Sequence, residues 1–199
     1  MVMAGSTALI ILAAGSSSRL GQAKQQLVFQ GSGLLQRAIT AGLRSECMRP
    51  LVILGARHEI LSREINPEQV DILINPNWQE GMATSIKVGI QRLMEKGAAD
   101  QVILMLCDQP YVDEKILNQL IAAKKKTDKA IIACSYQNTA GVPALFDRSI
   151  FPHLMQLKGK EGAKKIIQRY GESLSLLPFP LGRFDIDTPD DYRRLLQKK

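Results

Sequence analysis

The segment Leu9-Ile-Ile-Leu-Ala-Ala-Gly-Ser-Ser-Ser-Arg-Leu-Gly-Gln-Ala-Lys24 passes from an unbroken apolar run into a loop of small residues closed by two cations, Arg19 and Lys24. An apolar run with no polar alternation reads as a strand buried on both faces, the situation of a central strand in a helix-covered parallel sheet. The loop behind it carries little side-chain bulk, so its backbone N–H groups lie open to an anionic phosphate chain. A strand that feeds such a loop sets it at the carboxyl edge of an open α/β sheet, where these folds bind ligands.

The rest of the chain repeats the alternation. Strands are expected near 8–13, 50–55, 70–74, 101–106 and 130–134, each mostly Ile, Leu or Val. Helical periodicity covers 33–45, 57–65, 82–96, 113–126 and 160–170, and a last helix starts at 189. Thr188-Pro189-Asp190-Asp191 supplies a capping hydroxyl, Pro in the first turn and acids at the positive end of the dipole. Asp113 can cap its helix in the same way. Alternating strands and helices argue for an α/β sheet covered on both faces, and 199 residues without a repeat or linker argue for one domain over 1–199.

Composition removes several classes. No apolar run approaches the roughly 18–20 residues that span a bilayer, and the apolar start at Ala8–Ala14 is short with no basic region and cleavage site around it, so a signal peptide is not expected. Cys47, Cys107 and Cys134 are odd in number and lack metal-ligand spacing, so they read as reduced thiols of a cytoplasmic protein. The net charge of +7 favours anionic partners, although Lys124-Lys-Lys126 and Lys198-Lys199 are read as solvated helix and chain ends. With 5% aromatic residues and no stacking motif, nucleic acid is not expected as a partner.

Two common phosphate loops do not fit. Gly15 and Gly21 are separated by five residues where Walker A has four, and Gln22 stands where its lysine would, while Ser17 replaces the second glycine of a dinucleotide fingerprint. What matches is Leu-Ala-Ala-Gly-x-Ser-x-Arg-[Met/Leu]-Gly-x-x-Lys, with Leu20 in the Met/Leu position. Four further blocks follow in order: Asn75-Pro-Asn-Trp-Gln-Glu-Gly-Met-Ala-Thr-Ser85, Leu106-Cys-Asp-Gln-Pro110, Gly141-Val-Pro-Ala-Leu-Phe146 and Asp185-Ile-Asp-Thr-Pro-Asp-Asp-Tyr192. Together the five resemble the molybdenum cofactor cytidylyltransferase-like nucleotidyltransferases over nearly the whole chain. The resemblance implies a Rossmann-like, three-layer α/β/α domain with a mostly parallel sheet, of the nucleotide-diphospho-sugar transferase type. It also implies Mg²⁺-dependent transfer of CMP from CTP to a molybdopterin-type acceptor, with a molybdenum hydroxylase as a downstream partner.

Residue chemistry agrees with nucleotidyl transfer, which needs a held triphosphate, neutralised charge and an in-line acceptor more than covalent help. Arg19 offers a planar fork to phosphate oxygens and Lys24 a mobile point charge. Asp108, directly after an apolar strand, suits Mg²⁺, which takes one or two carboxylates plus phosphates and water. The resemblance makes Asp187 the second metal ligand, and Asp185 would project to the same side of an extended segment. Leu12, Ala13, Ala14 and Gly15 are expected to cradle the nucleotide together with Gly81 and Ser85 at a helix start. Trp78 can line that pocket or serve packing, and Gly89 reads as a close helix contact. His58 and His153 lie outside the five motif blocks and read as structural. Ala14 speaks for CTP, because guanylyltransferase relatives favour Leu-Ala-Gly-Gly. Val142 stands where the family has His, and Lys160 where it has Asp, so the acceptor stays open: another phosphorylated sugar or polyol is an alternative. A cofactor-binding chaperone is a reading of a different class.

Overall fold

In the computed structural model, which describes residues 5–97 and 99–197, the apolar runs join into a seven-stranded sheet. Its strands are β1 (Thr7–Ala13), β4 (Leu51–Leu54), β5 (Asp71–Ile74), β6 (Gln101–Leu106), β7 (Ile131–Tyr136), β8 (Thr139–Asp147) and β9 (Ser175–Pro178), while β2 (Val28–Phe29) and β3 (Ser32–Gly33) form a separate small hairpin. The order across the sheet is β5-β4-β1-β6-β8-β7-β9. All neighbours are parallel except β8, which runs antiparallel to β6 and β7. The helices are α1 (Leu34–Arg44), α2 (His58–Leu61), α3 (Met82–Lys96), α4 (Glu114–Lys124), α5 (Phe151–Leu154), α6 (Ala163–Tyr170) and α7 (Pro189–Gln197).

Strand periodicity explains the three layers. Along β1, Leu9, Ile11 and Ala13 enter an apolar cluster with Leu35 and Ile39 of α1 and Leu117 of α4. Ala8, Ile10 and Leu12 point the other way, into a cluster with Ile86 and Ile90 of α3, Phe151 of α5 and Ile166 of α6. A third, smaller cluster joins Leu20, Leu27 and Phe29 to Ile186 and Leu195, tying α7 to the segment after the first loop. Gly89 lets α3 approach the sheet, since a Cβ there would lie 2.8 Å from Ile10 Cδ1. The caps read from sequence form as well: Ile116 N–H donates to Asp113 Oδ1 (3.1 Å), and Thr188 and Asp191 exchange bonds in a capping box.

Differences from the expected elements have local causes. The helix expected over 57–65 is regular only through Leu61 and closes with a 3₁₀ turn at Ser62–Glu64, ahead of Asn66-Pro67, where a residue preceding proline avoids helical backbone. β8 carries no strand signature because Gly141 and Pro143 interrupt its pattern. It forms regardless because Ala133 pairs with Ala144 but Cys134 with Gly141, so Val142 and Pro143 occupy a register shift where proline owes no ladder bond. Short α5 and β9 were likewise outside the expected elements. Lys198 and Lys199 lie outside the described residues, whereas Lys124 pairs with Asp147 at 3.3 Å and Lys125 with Glu46 at 3.6 Å.

No helix among the described residues is long and apolar enough to cross a membrane. The three cysteines are free thiols. Burial pushes Cys107 up to about 12, with the Asp108 carboxylate adding to it, and burial alone does the same for Cys134. Because the thiolate is the reactive form, iodoacetamide near neutral pH is expected to alkylate Cys47 ahead of the other two. Intact-mass spectrometry should show Cys107 and Cys134 labelled only after denaturation; equal labelling of all three in the native protein would contradict this packing.

Candidate active site

The chain returns from β5 to pair β6 beside β1, so strand order reverses between β1 and β6. In open α/β sheets a ligand crevice forms at such a switch point, outside the carboxyl ends of the strands. Here those ends deliver the loop after Ala13 on one side and Asp108 on the other, and Cys107 N–H donates to Leu12 carbonyl (3.3 Å) across the gap.

Gln25 shapes the first loop. Its buried amide Nε2 donates to the carbonyls of Ala13 (2.8 Å) and Gly15 (3.0 Å), while Ala14 carbonyl accepts from Ala56 N–H (3.0 Å). In a trans peptide the N–H of the next residue points away from the carbonyl. Committing these carbonyls to the protein therefore turns the Ala14, Gly15 and Ser16 donors the other way. A Cβ on Gly15 would meet nothing within 4 Å, so the space over the loop is open. Ser17, with left-handed φ of 56°, accepts Lys24 N–H on its hydroxyl (3.0 Å) and closes the loop against the cation that ends it.

Lys24 is the hub of the charges. Its ammonium is hydrogen-bonded to Asp108 Oδ2 and lies 3.5 Å from Asp187 Oδ1, and Asp187 Oδ2 accepts from Arg19 Nη2 at 2.9 Å. Burial would lower the Lys24 pKa, but the Asp108 carboxylate, with Cys107 and Asp187 behind it, outweighs that and holds it above the ordinary lysine range. Asp185 still reaches solvent, yet the protein packed around it, and then Asp108 and Asp187, raise its pKa to about 7. Arg19 and Lys24 of the first loop thus meet Asp108 and Asp187, which are far from them in sequence. Asp108 is buried, and its second oxygen, Oδ1, has no hydrogen-bond partner among the described residues.

The opposite wall is the 75–85 segment. Buried Asn75 donates to Thr84 Oγ1 (2.8 Å) and Ser85 Oγ (2.9 Å) and accepts from Asn77 N–H (3.0 Å), which fixes the turn before α3. Gly81 enters α3 with φ of 118°, open to glycine alone, and its Cα faces the Gly159 backbone so closely that a Cβ would stand 2.3 Å from Gly159 carbonyl oxygen. A cavity of about 290 Å³ runs between these walls, bordered by Ala14, Gly15, Lys24, Trp78, Gly81 and Asp108. Leu12, Ala13 and Ser85 line it too, Ser85 with its oxygen already accepting from Asn75.

The sequence profile of the MobA-like NTP transferase domain matches residues 9–174. The chain belongs to this family. Among curated relatives of this MobA-like transferase, the purine catabolism protein PucB of Bacillus subtilis is 27% identical over 193 residues, 92% of each chain. The molybdenum cofactor cytidylyltransferase of Escherichia coli K12 is 28% identical over 190 residues, again 92% of each. The crystal structure of Rv0371c from Mycobacterium tuberculosis H37Rv superimposes with a TM-score of 0.85 at 29% identity, covering 98% of this chain and 99% of that one. Its complex with manganese gives 0.81 at 26% identity, covering 98% and 100%. The Rossmann-like three-layer fold of the nucleotide-diphospho-sugar transferase type follows from these matches and from the sheet.

Asp185 and Asp187 lie beyond the matched span, so their convergence on Asp108 comes from the fold. Sequence reasoning missed Gln25, Asn75 and Gln109. Each is a buried amide that fastens backbone or hydroxyls, Gln109 by donating to Val142 (3.0 Å) and Gly182 (3.3 Å) carbonyls. An amide with this task has no periodic signature; the available signal was position, Asn75 and Gln109 standing inside the second and third motif blocks and Gln25 directly after the first.

Proposed function

We propose that this MobA-like nucleotidyltransferase transfers CMP from CTP to a molybdopterin-type acceptor and releases pyrophosphate, with Mg²⁺ as its metal. The observation that carries the reading is the joint contact of Lys24 with Asp108 and Asp187 beside the open 12–16 loop. Among the described residues no group of three or more His, Cys, Asp or Glu side chains is arranged to hold a metal. The pair Asp108 and Asp187 fits Mg²⁺, which is content with one or two carboxylates when phosphates supply other oxygens. Asp108 Oδ1, buried and without a partner among the described residues, is the oxygen such an ion would satisfy, since leaving it bare is costly. Asp108 and Asp187 would hold the ion, and when bound it offsets phosphate charge. The manganese complex of Rv0371c supports a divalent metal in this fold.

The chain's own residues do the rest. Backbone N–H groups of the 14–16 segment and the cations Arg19 and Lys24 hold the triphosphate. The acceptor phosphate oxygen attacks the α-phosphorus, the bond from that phosphorus to the β-phosphate bridge breaks, and pyrophosphate leaves against the cations. A phosphate monoester has its second pKa near about 6 and is ionised at neutral pH, so no general base is needed. That agrees with His58 and His153, which sit in α2 and α5: His58 Nδ1 contacts Gly55 carbonyl and His153 packs on Tyr170. The cytidylyltransferase of Escherichia coli and Ala14 in the loop support CTP and the molybdopterin-type acceptor. A sugar or polyol phosphate acceptor is the second reading, favoured by Lys160, whose backbone N would lie 2.8 Å from a Cβ on Gly81 and which places a cation where the family has an acid.

Pyrophosphate release is the test. With Mg²⁺ present, CTP, GTP, ATP and UTP are compared with and without molybdopterin cofactor, and release is expected with CTP plus cofactor only. Release from CTP with a sugar or polyol phosphate instead would transfer the assignment to the second reading. Normal cofactor binding with no release from any nucleotide would favour a chaperone.

A further inference from the structure

Trp78 is the sole tryptophan of the chain, yet it belongs to none of the three apolar clusters. It sits half-buried in the 3₁₀ turn Trp78–Glu80 and borders the cavity together with Ala14, Gly15 and Gly81. Its position is tightly set. A Cβ on Gly55 would lie 2.6 Å from Trp78 Cβ and 2.8 Å from Ala14 carbonyl oxygen, so Trp78 rests on the end of β4 and abuts the phosphate loop. Trp78 carbonyl accepts Gly81 N–H (3.2 Å), and the Asn75 bonds to Asn77, Thr84 and Ser85 hold the turn from both sides.

Sheet order gives this placement a direction. β4 flanks β1 on one side and β6 on the other, so Trp78 and Asp108 stand at opposite ends of a cavity laid across three strand ends. Neighbouring strands are about 4.8 Å apart, so the span is on the order of 10 Å. That is the reach of a nucleotide from its phosphates to its base. With phosphates at Lys24 and the 14–16 donors, the nucleoside end falls beside the indole.

We propose that Trp78 is the nucleoside-facing wall of the site, packing its indole against the base or ribose of the bound nucleotide. The inference rests on the nucleotidyltransferase reading of the same cavity. An indole face accepts any base, so Trp78 supplies affinity for the nucleoside while the Gly81 turn supplies shape.

Intrinsic fluorescence of the unaltered protein tests it, because Trp78 is the only indole present. CTP is expected to change the emission, whereas inorganic tripolyphosphate should compete with CTP yet leave the emission where it was. By calorimetry, Trp78→Ala should weaken CTP roughly tenfold and tripolyphosphate hardly at all, with Trp78→Phe recovering most of the loss. CTP binding with unchanged emission, or tripolyphosphate changing the emission as much as CTP does, would overturn the assignment of Trp78 and leave the nucleotide site standing. Absence of any nucleotide binding in calorimetry would instead overturn the reading beneath it.

Discussion

Asp108→Asn is expected to lower pyrophosphate release by about 10³-fold, the scale of losing several kcal/mol of metal-borne charge stabilisation. Asn preserves the shape of the side chain and removes its charge. The change touches both oxygens: Oδ2, which accepts from Lys24, and Oδ1, which has no partner among the described residues. Folding should survive, because Lys24 keeps Asp187 at 3.5 Å and retains 18% of its side-chain surface in solvent. A stability loss of roughly 1–3 kcal/mol is expected, read as a melting temperature several degrees lower. Mn²⁺ titration in the presence of CTP gives a readout that needs no acceptor, and the variant should bind the ion far more weakly. Turnover within about threefold of the parent, with Mn²⁺ affinity unchanged, would remove Asp108 from the proposed metal site.

That experiment also bears on why the site takes this form. Lys24 between two carboxylates is a compact arrangement in which each charge offsets another. A triphosphate carries charge for the cations and a divalent ion carries charge for the acids, so ligand and metal together can replace the internal pairs without leaving a bare ion in a half-buried place. Binding of either alone leaves one sign in excess. Nucleotide and metal should therefore each strengthen the other, and the same Mn²⁺ titration with and without CTP measures that coupling.

Legibility in the sequence followed physical scale. β1, β6 and α3 were readable because unbroken apolar runs and helical periodicity are local patterns, and the Asp113 and Thr188 caps because capping is settled within four residues. The approach of Arg19 to Asp187, 168 positions away, was reachable only through resemblance, since sheet order is not encoded in periodicity. β8 was hidden because its Gly-Val-Pro looks like a break until the register shift absorbs it. Gln25 was hidden for another reason: its two bonds to Ala13 and Gly15 are decided by a loop shape that no residue pattern announces. Gly81 was legible as a helix entry but not as a contact, because the Gly159 loop reaches it from 78 residues further on.

Gly81→Ala is the second large effect, and its size follows from that contact. At φ of 118° and ψ of −179° the backbone lies where side chains are essentially never found, which costs on the order of 1–3 kcal/mol. The added Cβ also meets main chain rather than a flexible tip: Gly159 oxygen at 2.3 Å, Gly159 carbon at 2.5 Å and Lys160 nitrogen at 2.8 Å. Either the turn that carries Trp78 rotates or the 158–160 loop lifts, and the loop is held there by Ala83 N–H donating to Gly159 carbonyl at 3.1 Å. Both movements deform the nucleotide wall, so CTP affinity should fall between about tenfold and a hundredfold as the melting temperature drops. Gly15→Ala separates the two effects, because its Cβ meets no protein atom within 4 Å and its backbone needs no left-handed φ. That variant should melt like the parent yet bind CTP more weakly, since the methyl group enters the space the phosphates require. If Gly15→Ala binds CTP as the parent does, the triphosphate does not lie over the 14–16 donors; if Gly81→Ala melts and binds like the parent, the 158–160 loop is not the fixed wall its contact implies.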